Sequence, residues 1–238
     1  MLVRQCIEEV SPRPGRHLLV HADSAKLRFL PPAGLVLTCP PFFHPRGRSK
    51  HHGLSPPIRR LEDFAVWVAK VLERAAGSLR PGGLVCFVKT DVRYKGALLP
   101  VGFRIAEAVM RQGAVLRAHW VWQRIRSYSP YAPTIGNVFV FGDAVSPRLR
   151  SSGLFFDESL QLQRGEPTSW TPGLFEVLIR QLSAPGDTIV DPFAGRGSII
   201  QAAAKSGRWG AGVEMSAVQL RRAKRLLAHI PNLEIHTQ

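Results

Sequence analysis

Acidic residues are scarce in this chain: 17 Asp and Glu stand against 32 Lys and Arg over 238 residues, a formal net charge of +15. An imbalance of this size creates a long-range field that attracts polyanions, and nucleic acid is the commonest polyanionic partner. Cysteine is scarce too. Cys6, Cys39 and Cys86 are widely separated, odd in number and without metal-ligand spacing. That excludes a disulfide framework and a cysteine-built zinc site, and makes a reducing compartment the expected setting. No apolar run approaches the roughly 20 residues needed to span a bilayer, and no strongly basic amphipathic helix adjoins an apolar anchor. No membrane partner is expected. Met1 to Gln5, followed by Glu8 and Glu9, lacks the apolar core of a signal peptide, so a cytoplasmic protein is the expectation. Also absent are internal repeats, low-complexity tracts, the G-x-G-x-x-G dinucleotide fingerprint and the G-K-[ST] of a P-loop.

What is present is an alternation of two patterns. Apolar runs bounded by turn residues read as buried strands at Leu18 to His21, Leu35 to Thr38, Leu84 to Val88, Val115 to Trp122, Val138 to Phe141, Thr188 to Val190 and Gly210 to Val213. Helical spacing lies between them. Leu61 to Leu79 carries Phe64, Val68, Val71, Leu72 and Ala75 on one face. Pro100 to Gln112, Pro172 to Leu182, Ser198 to Lys205 and Ser216 to Ala228 complete the helices, the third opening on a proline in its first turn. Such alternation predicts a mostly parallel sheet covered on both faces, in one domain spanning 1–238. Two less regular stretches read as short insertions: a basic loop at 43–60 and a polar segment at 143–169, a candidate target-recognition segment.

Two motifs sit at strand ends, where parallel sheets bind ligands. In the late one, Asp191-Pro192-Phe193-Ala194-Gly195-Arg196-Gly197-Ser198, the glycines permit a tight turn and close ligand approach. The helix from Ser198 turns its positive end toward that loop. Glu214, followed by Met215, closes the next strand about 20 residues on, the offset at which an acid grips ribose hydroxyls in nucleotide sites. In the early motif, Thr38-Cys39-Pro40-Pro41-Phe42, two prolines fix two φ angles and supply no N–H, so their carbonyls project as rigid acceptors. Phe42 offers a flat stacking face.

Together the two motifs resemble those of the β-class amino-methyltransferases that modify nucleic-acid bases using S-adenosylmethionine, in that family's order of catalytic before cofactor motif. Asp191 to Ser198 resembles the family's D-P-F-x-G-x-G-[ST] loop. Thr168-Ser169-Trp170-Thr171-Pro172 resembles the segment that lines the methionine part of the cofactor pocket, with Thr171 where the family has Lys. His21-Ala22-Asp23-Ser24 resembles its G-D-S segment, whose acid contacts adenine. Thr38 to Phe42 resembles [DNS]-P-P-[YFW], whose first side chain and first prolyl carbonyl hold the target amino group while the aromatic stacks on the extruded base. Trp120, Trp122 and Arg124 resemble a W-x-[KR] segment, although Trp120 reads first as core packing. The likeness extends from Leu18 to Leu227.

The resemblance implies a Rossmann-like, seven-stranded α/β methyltransferase sandwich with its halves permuted. It implies a cofactor site of Asp23, Ser24, Thr38, Thr171, Pro172, Asp191, Pro192, Phe193, Gly195, Gly197, Ser198, Glu214 and Met215, and a catalytic group of Cys39, Pro40, Pro41 and Phe42. Arg46, Arg48, Lys50, His51, His52, Arg124 and Arg126 are the expected nucleic-acid contacts, with Tyr128 also within reach of substrate. The adjacent histidines have neither i, i+4 spacing nor partner acids, so no metal is expected. Cys39 departs from the family pattern. Its nearest match in shape is the Ser variant, which favours cytosine N4 in DNA, as in restriction-modification systems. The alternatives are adenine N6 in DNA, an amino group in structured RNA, and an inactive scaffold that binds nucleic acid. Methylation of cytosine at carbon 5 fits less well, because that chemistry places cysteine after a single proline. A homodimer is a candidate assembly.

Overall fold

The computed structural model describes residues 15–26, 30–45, 58–124, 135–143, 149, 152–157 and 172–237. Its elements in chain order are β1 (His17–His21), β2 (Ala33–Thr38), α1 (Leu61–Ala76), β3 (Leu79–Lys89), a small hairpin of β4 (Val92–Tyr94) and β5 (Ala97–Leu99), α2 (Val101–Arg111), β6 (Leu116–Arg124), β7 (Ile135–Phe141), β8 (Ser152–Asp157), α3 (Pro172–Leu182), β9 (Thr188–Asp191), α4 (Ser198–Lys205), β10 (Trp209–Glu214), α5 (Ala217–Leu227) and β11 (Leu233–Thr237). All seven expected strands and all five expected helices are present.

The expected strand number needs correction. The described residues build a nine-stranded sheet, in the order β11-β1-β10-β9-β2-β3-β7-β6-β8. The seven expected strands form its continuous centre, and one further strand flanks each edge. An edge strand is covered less and needs no unbroken apolar run. Leu233-Glu234-Ile235-His236-Thr237 accordingly alternates apolar and polar residues along β1. Ser152–Asp157, within the stretch read as an insertion, pairs in parallel with β6 instead.

Strand sense fixes where a ligand can sit. β7 runs antiparallel to both β3 and β6, and every other neighbouring pair in the sheet is parallel. The carboxyl ends of β1, β2, β3, β6, β9 and β10 therefore emerge on one edge. Both faces of the sheet are covered, which explains the unbroken apolar runs. Val85 and Phe87 of β3 join α1 and α2 in one core, whereas Leu84, Cys86 and Val88 join α3 and α4 in the other. A third cluster packs Leu19 and Ile200 under Leu220, Ala223 and Leu227 of α5. On α1, Glu62 and Asp63 occupy the first turn and Arg74 the last, matching the helix dipole at both ends. Among the described residues no helix is long and apolar enough to cross a membrane.

β10 brings α4 unusually close. A Cβ at Gly210 would lie 2.8 Å from Ile200 Cα, and one at Gly212 would lie 2.6 Å from Ile200 Cδ1 and 2.8 Å from Ala194 Cβ. Since a helix backbone cannot yield as a side-chain tip can, Gly210→Ala should destabilise the fold by about 1–3 kcal/mol. Urea unfolding of the two proteins measures this difference.

Candidate active site

The two motifs, far apart in sequence, meet at the ends of adjacent strands. β2 and β9 pair in parallel through Leu35 with Ile189 and Val36 with Val190. Just beyond that pairing, Thr38 Oγ1 donates to Asp191 Oδ1 at 2.6 Å, and both side chains are buried. The same carboxylate oxygen accepts from the Phe193 amide at 3.0 Å, which starts the glycine loop. Burial pushes the Asp191 carboxyl up to about 7, against the two hydrogen bonds that favour its ionised form; the nearby Glu214 charge raises it further.

Glu214 ends β10, the neighbour of β9. Its Oε2 accepts from the Gly195 amide at 2.8 Å and its Oε1 from the Ser216 amide at 2.6 Å, so one carboxylate ties the glycine loop to the start of α5. Burial raises its pKa, opposed by these backbone bonds and by the charge of His21. The loop itself needs glycine. Gly195 has φ +53° and a Cβ there would meet Phe193 O at an ordinary contact distance of 3.8 Å, while Gly197 has φ +83° and a Cβ there would meet Leu227 Cδ1 at 2.7 Å. Gly195 thus leaves room for a ligand, and Gly197 permits close packing against α5.

The segment after β1 closes over the same loop. Ala22 N donates to Glu214 O at 3.1 Å, His21 Nε2 lies 3.0 Å from Met215 O, and Ser24 Oγ donates to Pro192 O. Asp23 Oδ1 accepts from the Ala25 amide at 3.0 Å, which orders the turn that presents Asp23. The structure thus brings together Asp23, Ser24, Thr38, Asp191 to Ser198, Glu214 and Met215. Pro172 opens α3. Thr171 lies outside the described residues, as do Arg46, Arg48, Lys50, His51, His52, Arg126 and Tyr128. The backbone of Arg124 ends β6 on the ligand edge. Trp120 and Trp122 are buried in the core below.

The double-proline turn leaves β2 at Cys39. Phe42 is 47% exposed, whereas Phe43 is buried. Phe43, Phe64, Trp67 and Phe193 form a run of tilted rings with successive centroids 5.3, 5.9 and 5.4 Å apart. That run links the turn to the glycine loop through α1.

One residue of the site went unnoticed in the sequence. Lys89, at the end of β3, is completely buried; its Nζ donates to Pro40 O at 2.9 Å and Pro41 O at 2.8 Å and lies 4.6 Å from the Phe42 ring centroid. The prolyl carbonyls therefore already hold a donor. Cys39 Sγ also lies 3.9 Å from Pro40 O, as a weak donor. The available signal was a lone cation ending the apolar run Leu84 to Val88 at the ligand edge of the sheet.

Known proteins resemble this chain in sequence signature and in fold. Residues 133–225 match the profile of the N6/N4 DNA methylase family, a match that includes the glycine loop and Glu214 but not the double-proline turn. The search of curated proteins finds no match. A protein of Thermus thermophilus described as a putative DNA modification methylase, solved with S-adenosyl-L-methionine, shares 25% identity with a TM-score of 0.71, over 92% of this chain and 99% of that chain. The PvuII DNA methyltransferase, described as cytosine-N4-specific, has the same fold at 18% identity and a TM-score of 0.67, over 94% and 99%. M1.HpyAVI in complex with SAM also shares the fold, at 17% identity and a TM-score of 0.60, over 88% and 98%. In sequence signature over the cofactor half and in fold over nearly its whole length, the chain resembles the S-adenosylmethionine-dependent amino-methyltransferases of the N4/N6 DNA methylase family.

Proposed function

We propose that this protein is an S-adenosylmethionine-dependent methyltransferase that acts on the exocyclic amino group of a nucleic-acid base, with cytosine N4 in DNA as its target. The observation that carries this reading is the Thr38–Asp191 hydrogen bond, which sets the glycine loop and the double-proline turn side by side on one edge of the sheet.

The residues suit such a cofactor. Two buried carboxyl groups, Asp191 and Glu214, flank the glycine loop, and Gly195 leaves space beside them. A cationic ligand with ribose hydroxyls and an adenine matches this set: Glu214 retains lone pairs for the hydroxyls, Asp23 faces the adenine, and the partly buried Phe193 offers an apolar wall. When bound, S-adenosylmethionine supplies a methyl group on a sulfonium sulfur. The chain positions the target. Phe42 stacks on the extruded base, and the Pro40 carbonyl accepts one amino hydrogen, which orients the nitrogen lone pair and favours positive charge developing there. Cys39, small like the family's serine variant, leaves room beside that carbonyl for a pyrimidine. The basic residues Arg46, Arg48, Lys50, His51, His52, Arg124 and Arg126 hold the flanking phosphates without reading sequence. The excess of 32 basic over 17 acidic residues supports a polyanionic substrate.

Three measurements test this reading. Calorimetry should show micromolar binding of S-adenosylmethionine that disappears in Asp191→Ala; no binding by the wild type would support the nucleic-acid-binding scaffold instead. Mass spectrometry of nucleosides from DNA and RNA treated with enzyme and labelled cofactor should show N4-methylcytosine in DNA. N6-methyladenine or a methylated RNA base would move the assignment to that target, and 5-methylcytosine would overturn the mechanism. Cys39→Ser should keep or raise activity, since a hydroxyl is a better acceptor than a thiol. Complete loss in a folded Cys39→Ser protein would point to thiol chemistry.

A further inference from the structure

We propose that Lys89 is a positioning residue of the methyl-transfer site that permits reaction in its neutral form and opposes it as an ammonium, through the Pro40 carbonyl that it shares with the target amino group. This rests on the proposed function, because it assigns the amino group to Pro40 O.

The geometry is specific. Nζ reaches Pro40 O at 2.9 Å and Pro41 O at 2.8 Å, and Phe42 lies across its remaining side with the ring centroid at 4.6 Å. All three residues belong to the turn that meets the base. A neutral amine has two hydrogens, one for each carbonyl, so it can hold the turn without carrying a charge. An ammonium keeps the same two bonds and adds a full positive charge beside the oxygen that must stabilise a developing cation. Two groups that share one acceptor at hydrogen-bond distance are about 5 Å apart, close enough for repulsion to slow the reaction by roughly ten- to a hundredfold in a partly screened site.

The surroundings place this switch near neutrality. Burial pushes the Lys89 amine down to about 8, opposed by the Cys39 thiol, whose ionised form would favour the ammonium. Among the described residues no carboxylate contributes to that shift. Asp91, two residues along, accepts hydrogen bonds from the backbone at Val101 and Gly102 at the start of α2. His119 of β6 is engaged with Asn137 of β7, the residue paired with Lys89 across the sheet. Asp191 is held by Thr38 and Phe193.

The test combines single-turnover methylation of duplex DNA from pH 6.5 to 9.5 with NMR of 13C-labelled lysine side chains, on wild type, Lys89→Met and Lys89→Arg. Melting curves establish that each variant is folded. In wild type the rate should rise roughly tenfold or more through an apparent pKa near 8, and the lysine resonance missing from Lys89→Met should titrate in the same range. Lys89→Arg, charged throughout, should stay at the low-pH rate with a flat profile; Lys89→Met should lose the inflection. A wild-type profile retained in Lys89→Met, wild-type rates in Lys89→Arg, or a Lys89 resonance titrating near 10.5 would overturn the proposal. If no nucleic acid is methylated, the proposed function fails, while the NMR titration still decides the charge state: near 8 supports the neutral clamp, near 10.5 overturns it.

Discussion

A single hydrogen bond, from Thr38 Oγ1 to Asp191 Oδ1, organises the ligand edge of this protein. It joins the ends of two adjacent parallel strands, β2 and β9, which lead into the double-proline turn and the glycine loop. The Asp191 carboxylate also caps the first amide of the glycine loop, so the direction in which that loop departs depends on the same group. Glu214 then secures the middle of the loop from the next strand, and Ser24 secures its start from the strand beyond. The double-proline turn on the other side is fixed by Lys89 from β3. Five neighbouring strands, β1, β10, β9, β2 and β3, therefore each supply one fastening to a single site.

These fastenings are made largely by ionisable groups out of water, and that conflicts with stability. Asp191 has its pKa raised to about 7 and Lys89 has its own lowered to about 8. Each shift means that the folded state disfavours the charged form relative to the unfolded chain. For Asp191 the folded state binds the extra proton, so its contribution to stability declines as pH rises from the ordinary carboxylate range toward 7. For Lys89 the unfolded state binds the extra proton, so its contribution improves as pH rises from 8 toward the ordinary lysine value. The pair is thus least favourable to folding around neutral pH. Strain of this kind at a strand edge, above an otherwise conventional apolar core, is typical of a site kept for chemistry.

The sequence revealed the centre of the sheet better than its margins. Strands such as Leu35 to Thr38 and Leu84 to Val88 are buried on both faces and need continuous apolar runs, which composition shows directly. Ser152–Asp157 pairs with β6 at one edge of the sheet that the described residues build, and sits in a polar stretch that hides it. At the other edge, Leu233–Thr237 shows only a short alternation. The glycine loop was legible because its turn demands particular residues: Gly197, at φ +83° against Leu227, admits no side chain. Lys89 was not, because a cation ending an apolar run marks a place at the ligand edge but does not tell a buried lysine from a solvated one. Its role depends on Pro40 and Pro41, 49 and 48 residues earlier in the chain, and a partnership at that separation leaves no periodic trace. Cys39 is the opposite case. Its position in the motif was plain, but only the structure shows the thiol turned toward Pro40 O.

The permuted order of the two halves has a consequence for the life history of the chain. Thr38 and Asp191 are 153 residues apart, and β9 occupies the middle of the sheet between β2 and β10. During synthesis the double-proline turn emerges early, yet the central slot beside β2 stays empty until the chain has been extended as far as Asp191, 153 residues beyond Thr38. Contacts of such separation close late, because the loop entropy must be met before they contribute. An incomplete chain therefore exposes one bare flank of β2, an unpaired edge open to association with other strands. Completion of the ligand edge and protection from misassociation arrive in the same event, the insertion of β9.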